Sequence, residues 1–251
     1  MRPFLLPYEA DLKAAVIDRL FDSGAIDDDA VIISEMVIAD WTRRADVVLA
    51  NGSLVAFEIK SPADSLTRLE GQMESLNRAF EKVILVVAPR FEEKALQLAS
   101  GGVGVWVVGR DGSLKERQRA RKRTLAREAS IQLMTASELK HLLFCNGVRN
   151  AQRLARHELH ELAMRLPEAD LVNAARNAVK ARYRAKHLAF LSDRAARGTL
   201  SAVSALHRKG RNRDTRPEEG ALSVPNFEIE HGHPLLVHSP AGPILRRRNS
   251  R

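Results

Sequence analysis

The sequence predicts an α/β fold, a mixed sheet flanked by helices, followed by a helical and strongly basic region. Three observations predict it. Short runs rich in β-branched residues alternate with segments of helical periodicity up to about residue 110, two of those runs are joined by Asn51-Gly52, and beyond Gly112 Ala, Leu and Arg replace the strand formers. The organisation read from this is a first domain over 1–112, a basic helical region over 113–196, and a basic tail over 197–251 expected to be mostly mobile.

The first helix is expected over Pro7 to Phe21, where Leu12, Ala15, Val16 and Leu20 recur at helical spacing and Gly24 closes the segment. Val31 to Ile38 reads as a strand although Glu35 interrupts it, and Ala45 to Ala50 and Ser53 to Lys60 read as a hairpin with a two-residue turn at Asn51-Gly52. Ser65 to Phe80 has a helical stripe of Leu66, Leu69, Met73, Leu76 and Phe80, with Ser65 as its cap. Val83 to Ala88 and Val103 to Val108 are short buried strands separated by a helix over Phe91 to Ala99. Lys115 to Arg127 is a basic run expected to be helical or mobile. Helices are expected over Ser137 to Phe144, Arg149 to Leu166 and Glu168 to Arg194, and an extended piece over Ser223 to Ile229.

Charge is distributed unevenly. Residues 1–110 carry 12 basic and 17 acidic side chains, and residues 111–251 carry 28 and 14, so nearly all of the formal net charge of +9 is C-terminal. A basic half joined to a slightly acidic one suggests contact with a polyanion. No apolar run is long enough to span a bilayer, the apolar start before Glu9 is too short for a secretory leader, and the single Cys145 forms no internal disulfide, so a cytoplasmic location is expected.

The chemistry-bearing residues cluster on the hairpin. Glu58 and Lys60 are two apart and share one face of their strand, with Phe57 and Ile59 on the other. A pairing centred on Asn51-Gly52 puts Asp46 opposite Phe57 and diagonal to Glu58, and a small register shift brings the two carboxylates together. Two carboxylates with a main-chain carbonyl, that of Ile59, form a hard-oxygen site suited to Mg²⁺ or Mn²⁺, and a lysine beside it can orient water and offset developing charge.

Asp46 followed by Glu58-Ile59-Lys60 on the next strand resembles the PD-(D/E)XK nuclease superfamily, with the restriction-endonuclease-like fold. Asp64-Ser65-Leu66-Thr67-Arg68-Leu69-Glu70-Gly71-Gln72 is similar to the helix after the lysine in a bacterial branch of that superfamily. Ala45 stands where the proline of the name would be, and the likeness covers roughly residues 8–110. The resemblance implies a metal-dependent nuclease acting on DNA, with Asp46 and Glu58 as metal ligands, Lys60 assisting the water, Gln72 pointing into the site, and Glu35 or its competitor Glu9 completing it. Relatives often act as dimers, so a homodimer stays open, as does a protein partner on the C-terminal helices.

Arg44 and Arg68, and Arg119, Arg121, Lys122 and Arg123 in the basic run, are the candidate nucleic-acid contacts; Arg68 could equally pair with Asp64 one turn earlier. The alternative reading is a non-catalytic nucleic-acid-binding or adaptor protein that keeps the fold and works through its basic half. Gly101-Gly102-Val103-Gly104 precedes a strand and reads as a turn, and His157 and His160 lack the four-residue spacing of zinc proteases.

Overall fold

The fold comes from a computed structural model that describes residues 9–38, 43–109, 111–206, 236–239 and 242–245. α1 (Glu9–Asp22) starts on two acids, which favour the positive end of the helix dipole, and buries Leu12, Val16, Ile17 and Leu20. β1 (Val31–Ile38), β2 (Arg43–Ala50) and β3 (Leu54–Lys60) form an antiparallel meander. α2 (Leu69–Ala79) crosses over to β4 (Lys82–Val87), parallel to β3, and α3 (Glu92–Leu98) crosses over to β5 (Gly104–Val108), parallel to β4. β6 (Leu114–Gln118) returns antiparallel to β5, so strand order in the six-stranded sheet follows chain order. The mixed α/β sheet expected from the sequence is present.

Helices follow: α4 (Arg127–Leu133), α5 (Ala136–Cys145), α6 (Arg156–Ala163), α7 (Glu168–Arg197) and α8 (Thr199–Leu206). α2, α3 and the first half of α7 cover one face of the sheet and α4 to α6 extend the same core, which holds Leu69, Met73, Ala95, Ile131, Leu139, Leu159, Leu171 and Val179 with Val48, Leu85 and Val105. α1, α8 and Phe190 near the end of α7 cover the other face, against Val47, Phe57, Val86 and Trp106. α7 therefore contributes to both cores as it passes the open edge of β1. There the Ile32 amide donates to Nδ1 of His187 and Arg184 donates to the Asp28 and Ala30 carbonyls, which pairs an edge that would otherwise be bare. No helix among the described residues is long and apolar enough to cross a membrane.

Several expectations are corrected. The basic run is neither helix nor mobile: its first part is β6, an edge strand whose solvent exposure leaves no apolar alternation to read. The boundary at 112 falls between β5 and β6, two neighbouring strands of one sheet. α2 begins about one turn late, at Leu69 with Arg68 in the N-cap position instead of Ser65, whose hydroxyl is bonded to Thr67 in a local turn. The helix expected over Arg149 to Leu166 is a 3-10 turn at Ala151–Arg153 and then α6, and α8 lies where the tail was expected to begin. Ser223 to Ile229 lies outside the described residues.

The hairpin loop is three residues, Asn51 to Ser53, with Gly52 at φ 60°. Ala50 pairs with Leu54, one position beyond what a two-residue turn gives. β7 (Leu236–Ser239) and β8 (Gly242–Leu245) form a separate antiparallel hairpin within the unit Gly210–Arg251.

Candidate functional site

The register shift at the hairpin builds the site. Val47 pairs with Phe57, so extending the ladder by one residue sets Asp46 opposite Glu58. The ladder opens there, and Oδ2 of Asp46 accepts the Ile59 amide at 2.7 Å instead. On the other side of β2, Ser34 pairs with Val47 and Met36 with Ala45, which brings Glu35 and Asp46 face to face between them. Glu35 has φ 54°, the only positive value at a non-glycine among the described residues. The in-out alternation slips at this point in both strands: Val31, Ile33, Met36 and Ile38 all face one core, as do Ala45 and Val48. The strain, on the order of 1–3 kcal/mol for such a conformation, falls where the carboxylates converge.

Glu9 from α1 joins them. Oxygens of Glu9, Glu35 and Asp46 lie within 4.8 Å of one another, and with Glu58, Arg43, Arg44, Arg68, Gln72 and Leu76 they line a cavity of about 400 Å³. Both glutamates left open by the sequence, Glu9 and Glu35, are in the cluster. Glu58 is 2% exposed; its Oε1 accepts from Nζ of Lys60 at 2.7 Å and its Oε2 has no hydrogen-bond partner. Burial pushes the Asp46 carboxyl up to about 7, helped by the Glu58 charge and opposed by the Ile59 amide and Lys13. Burial also raises Glu58, against the pull of Lys60.

Lys13 was not singled out in the sequence, yet it sits at the centre of this cluster. Its ammonium bonds Glu35 and also Glu9 at 2.6 Å, one turn earlier on α1. Burial alone would lower its pKa, but the bonds to Glu35 and Glu9 and the field of Asp46 hold it above the ordinary lysine value. The sequence signal was a lysine four residues after Glu9 and four before the buried Ile17, on the covered side of an amphipathic helix.

The remaining candidates divide between two places. Arg44, Arg68 and Gln72 line the cavity, with the Arg44 Nε 3.5 Å from Glu35. Arg68 makes no pair with Asp64, whose carboxylate is held by the Ser61 amide and hydroxyl. Arg119, Arg121, Lys122 and Arg123 lie on the strip that continues from β6. This strip is fastened by its backbone: the Arg121 amide donates to the Gly102 carbonyl at 2.8 Å, and the Arg123 amide to the Glu81 carbonyl at 2.9 Å. Arg123 also turns its guanidinium to the Gly101 carbonyl, and Lys122 is 3.7 Å from Glu81, whereas Arg119 and Arg121 are exposed and carry no ion pair among the described residues.

Comparison with known proteins decides the family. The family profile described as bacteriophage P4 protein cII matches residues 5–207. The chain belongs to the bacteriophage P4 protein cII family. Protein cII of Enterobacteria phage P4 is 39% identical over 188 residues, which is 73% of this chain and 71% of that protein. Among solved structures, a protein of unknown function from Silicibacter pomeroyi aligns over 51% of this chain and 79% of its own, at 18% identity and a TM-score of 0.37.

Membership in the cII family corrects the functional expectation. That membership overturns the reading of the chain as a hydrolase, a Mg²⁺- or Mn²⁺-dependent nuclease. The physical reason the pattern misled is that an acid, an acid and a lysine on one hairpin also form a self-neutralising charge cluster, which Lys60 and Lys13 complete here.

Proposed function

We propose that this cII-family protein is a non-catalytic nucleic-acid-binding protein, with DNA as its polyanion, built on a scaffold that resembles the PD-(D/E)XK nucleases. The observation that carries this reading is the cationic strip running from Lys115 through Arg117, Arg119, Arg121 and Lys122 along and beyond the free edge of β6, all exposed. A strand-like segment tied down by main-chain bonds displays its cations at fixed spacing, so less conformational entropy is lost when they meet phosphates than for a free tail. Membership in the phage P4 protein cII family supports a binding role over a hydrolytic one.

The test is fluorescence anisotropy of labelled duplex DNA against the full-length protein across a range of KCl concentrations. Binding is expected, with log K falling against log salt by about 0.9 for each phosphate neutralised, and replacing Arg119 and Arg121 together by alanine is expected to reduce that slope by about two contacts. Absence of binding at low salt, or a slope unchanged in the double variant, would sink the reading. In the second case the DNA contacts lie elsewhere.

A further inference from the structure

We propose that the Lys13 ammonium is the resident cation of the acidic pocket, standing where a divalent metal would have to sit, so that the pocket is metal-independent. The resemblance to metal-dependent nucleases implies Mg²⁺ or Mn²⁺ at these carboxylates, and the residues present do not fit such an ion. A hard divalent cation needs carboxylate oxygens free to turn towards it. Here the triad of Glu9, Glu35 and Asp46 converges within 4.8 Å, but Lys13 already bonds two of its members. Next to the triad, Lys60 holds Oε1 of Glu58 and the Ile59 amide holds Oδ2 of Asp46, so that of the Glu58 carboxylate only the buried Oε2 is left unbonded. A dication at the triad would lie beside an ammonium within a few ångström, where like-charge repulsion is severe in a partly buried site.

Lys13 has no ready way to yield the position. Its side chain is 2% exposed, so moving its head into water would require unpacking the stem from the protein. Its neighbours also keep it charged, because the two glutamates and Asp46 outweigh the effect of burial. Lys13 is distinct from Lys60, the lysine of the Glu58-Ile59-Lys60 sequence: it comes from another element, α1, and takes the other pair of acids. Arg44 reaches Glu35 from the rim, so Lys13, Lys60 and Arg44 are each paired to carboxylates of the pocket, and Arg43 and Arg68 also line it.

The inference goes beyond the proposed DNA binding and is tested without DNA. Mn²⁺ is titrated into the full-length protein and bound metal is read from loss of the free-ion electron paramagnetic resonance signal, for wild type, Asp46→Asn, Lys13→Met and Lys13→Met/Asp46→Asn. Wild type is expected to take up no Mn²⁺ that depends on Asp46. Lys13→Met is expected to bind one ion at least about tenfold more tightly than wild type, since a positive charge next to the site is removed, and the double variant is expected to lose it. Mn²⁺ should also raise the melting temperature of Lys13→Met alone.

Stoichiometric Mn²⁺ on wild type that is abolished by Asp46→Asn would overturn the proposal regardless of any variant at position 13. A folded Lys13→Met protein that binds no Mn²⁺ would overturn it as well. If Lys13→Met does not fold, Lys13→Gln carries the same comparison, and its failure to bind Mn²⁺ overturns the proposal.

Discussion

Asp46 carries much of the electrostatics of the site, face to face with the strained backbone of Glu35. Its carboxyl keeps a proton in the folded protein up to about pH 7, because burial and the Glu58 charge disfavour ionisation, whereas in the unfolded chain it ionises near 4. Between those values the folded state binds more protons than the unfolded one, so Asp46 lowers stability progressively as pH rises through that window. Above pH 7 the penalty is fully present. Asn in its place keeps an oxygen for the Ile59 amide and removes the titration. Asp46→Asn is therefore expected to raise the melting temperature relative to wild type, by a stability gain on the order of 1 kcal/mol or more at pH 8 and clearly less at pH 5. Thermal melts of both proteins at the two pH values check it, and an equal shift at both would refute the assignment.

At the scale of elements, Glu81 is the junction the sequence did not disclose. It precedes β4, is 1% exposed, and accepts the Leu54 amide of β3 at 2.9 Å and two bonds from Arg176 of α7 at 2.5 and 2.8 Å, while its carbonyl receives the Arg123 amide. Its carboxyl is held below the usual range: burial works against this, and the bonds from Arg176 and the Leu54 amide prevail. Glu81→Ala strands a partly buried guanidinium and an amide at once, with an expected loss of about 3 kcal/mol in urea unfolding. The Glu81 carbonyl that receives the Arg123 amide remains in this variant while the Lys122 contact to the carboxylate is lost, so hydrogen exchange at Arg123 should quicken only as far as the loop before β4 loosens. A loss within about 0.5 kcal/mol would show that the junction does not matter.

What was legible in the sequence follows from range. β1 to β5 and α1, α2 and α7 were readable because β-branched runs and apolar stripes are local patterns, and Asp46, Glu58, Glu35 and Gln72 were found because strand periodicity and a resemblance pointed to them. β6 was missed because an exposed edge strand of Leu-Lys-Glu-Arg-Gln has no buried side to mark it. Glu81 and Lys13 were missed because what explains them lies 95 and 22 residues away in the chain. The meeting of Asp46 with Glu58 turned on one residue of loop length: the sequence reads as a two-residue turn at Asn51-Gly52, and the loop also takes in Ser53.

For the whole molecule, the sheet has two cores on opposite faces and α7 is the element that belongs to both. Its first half packs with Ile131 and Leu159, and Phe190 packs with Val16 and Val203. Between these contacts His187, 2% exposed, accepts the Ile32 amide at the sheet edge, and Arg184 and Lys180 reach Asp29. The two layers should then unfold together, since releasing α7 uncovers the edge strand and opens both faces. Burial, reinforced by the Arg184 charge, lowers the His187 pKa below the ordinary histidine value, so the folded protein holds the ring neutral. As pH falls below about 6.5 the unfolded chain takes up a proton that the folded one refuses, and stability is lost in that direction, opposite to the trend set by Asp46. His187→Gln keeps an acceptor for the Ile32 amide but cannot titrate. Urea unfolding followed by circular dichroism at pH 7.5 and pH 5 is expected to give one cooperative transition in each case. The acid loss should be smaller in His187→Gln than in wild type, and an unchanged acid loss would mean that α7 is held at the β1 edge by its Arg184 and Lys180 ion pairs and not through the neutral histidine.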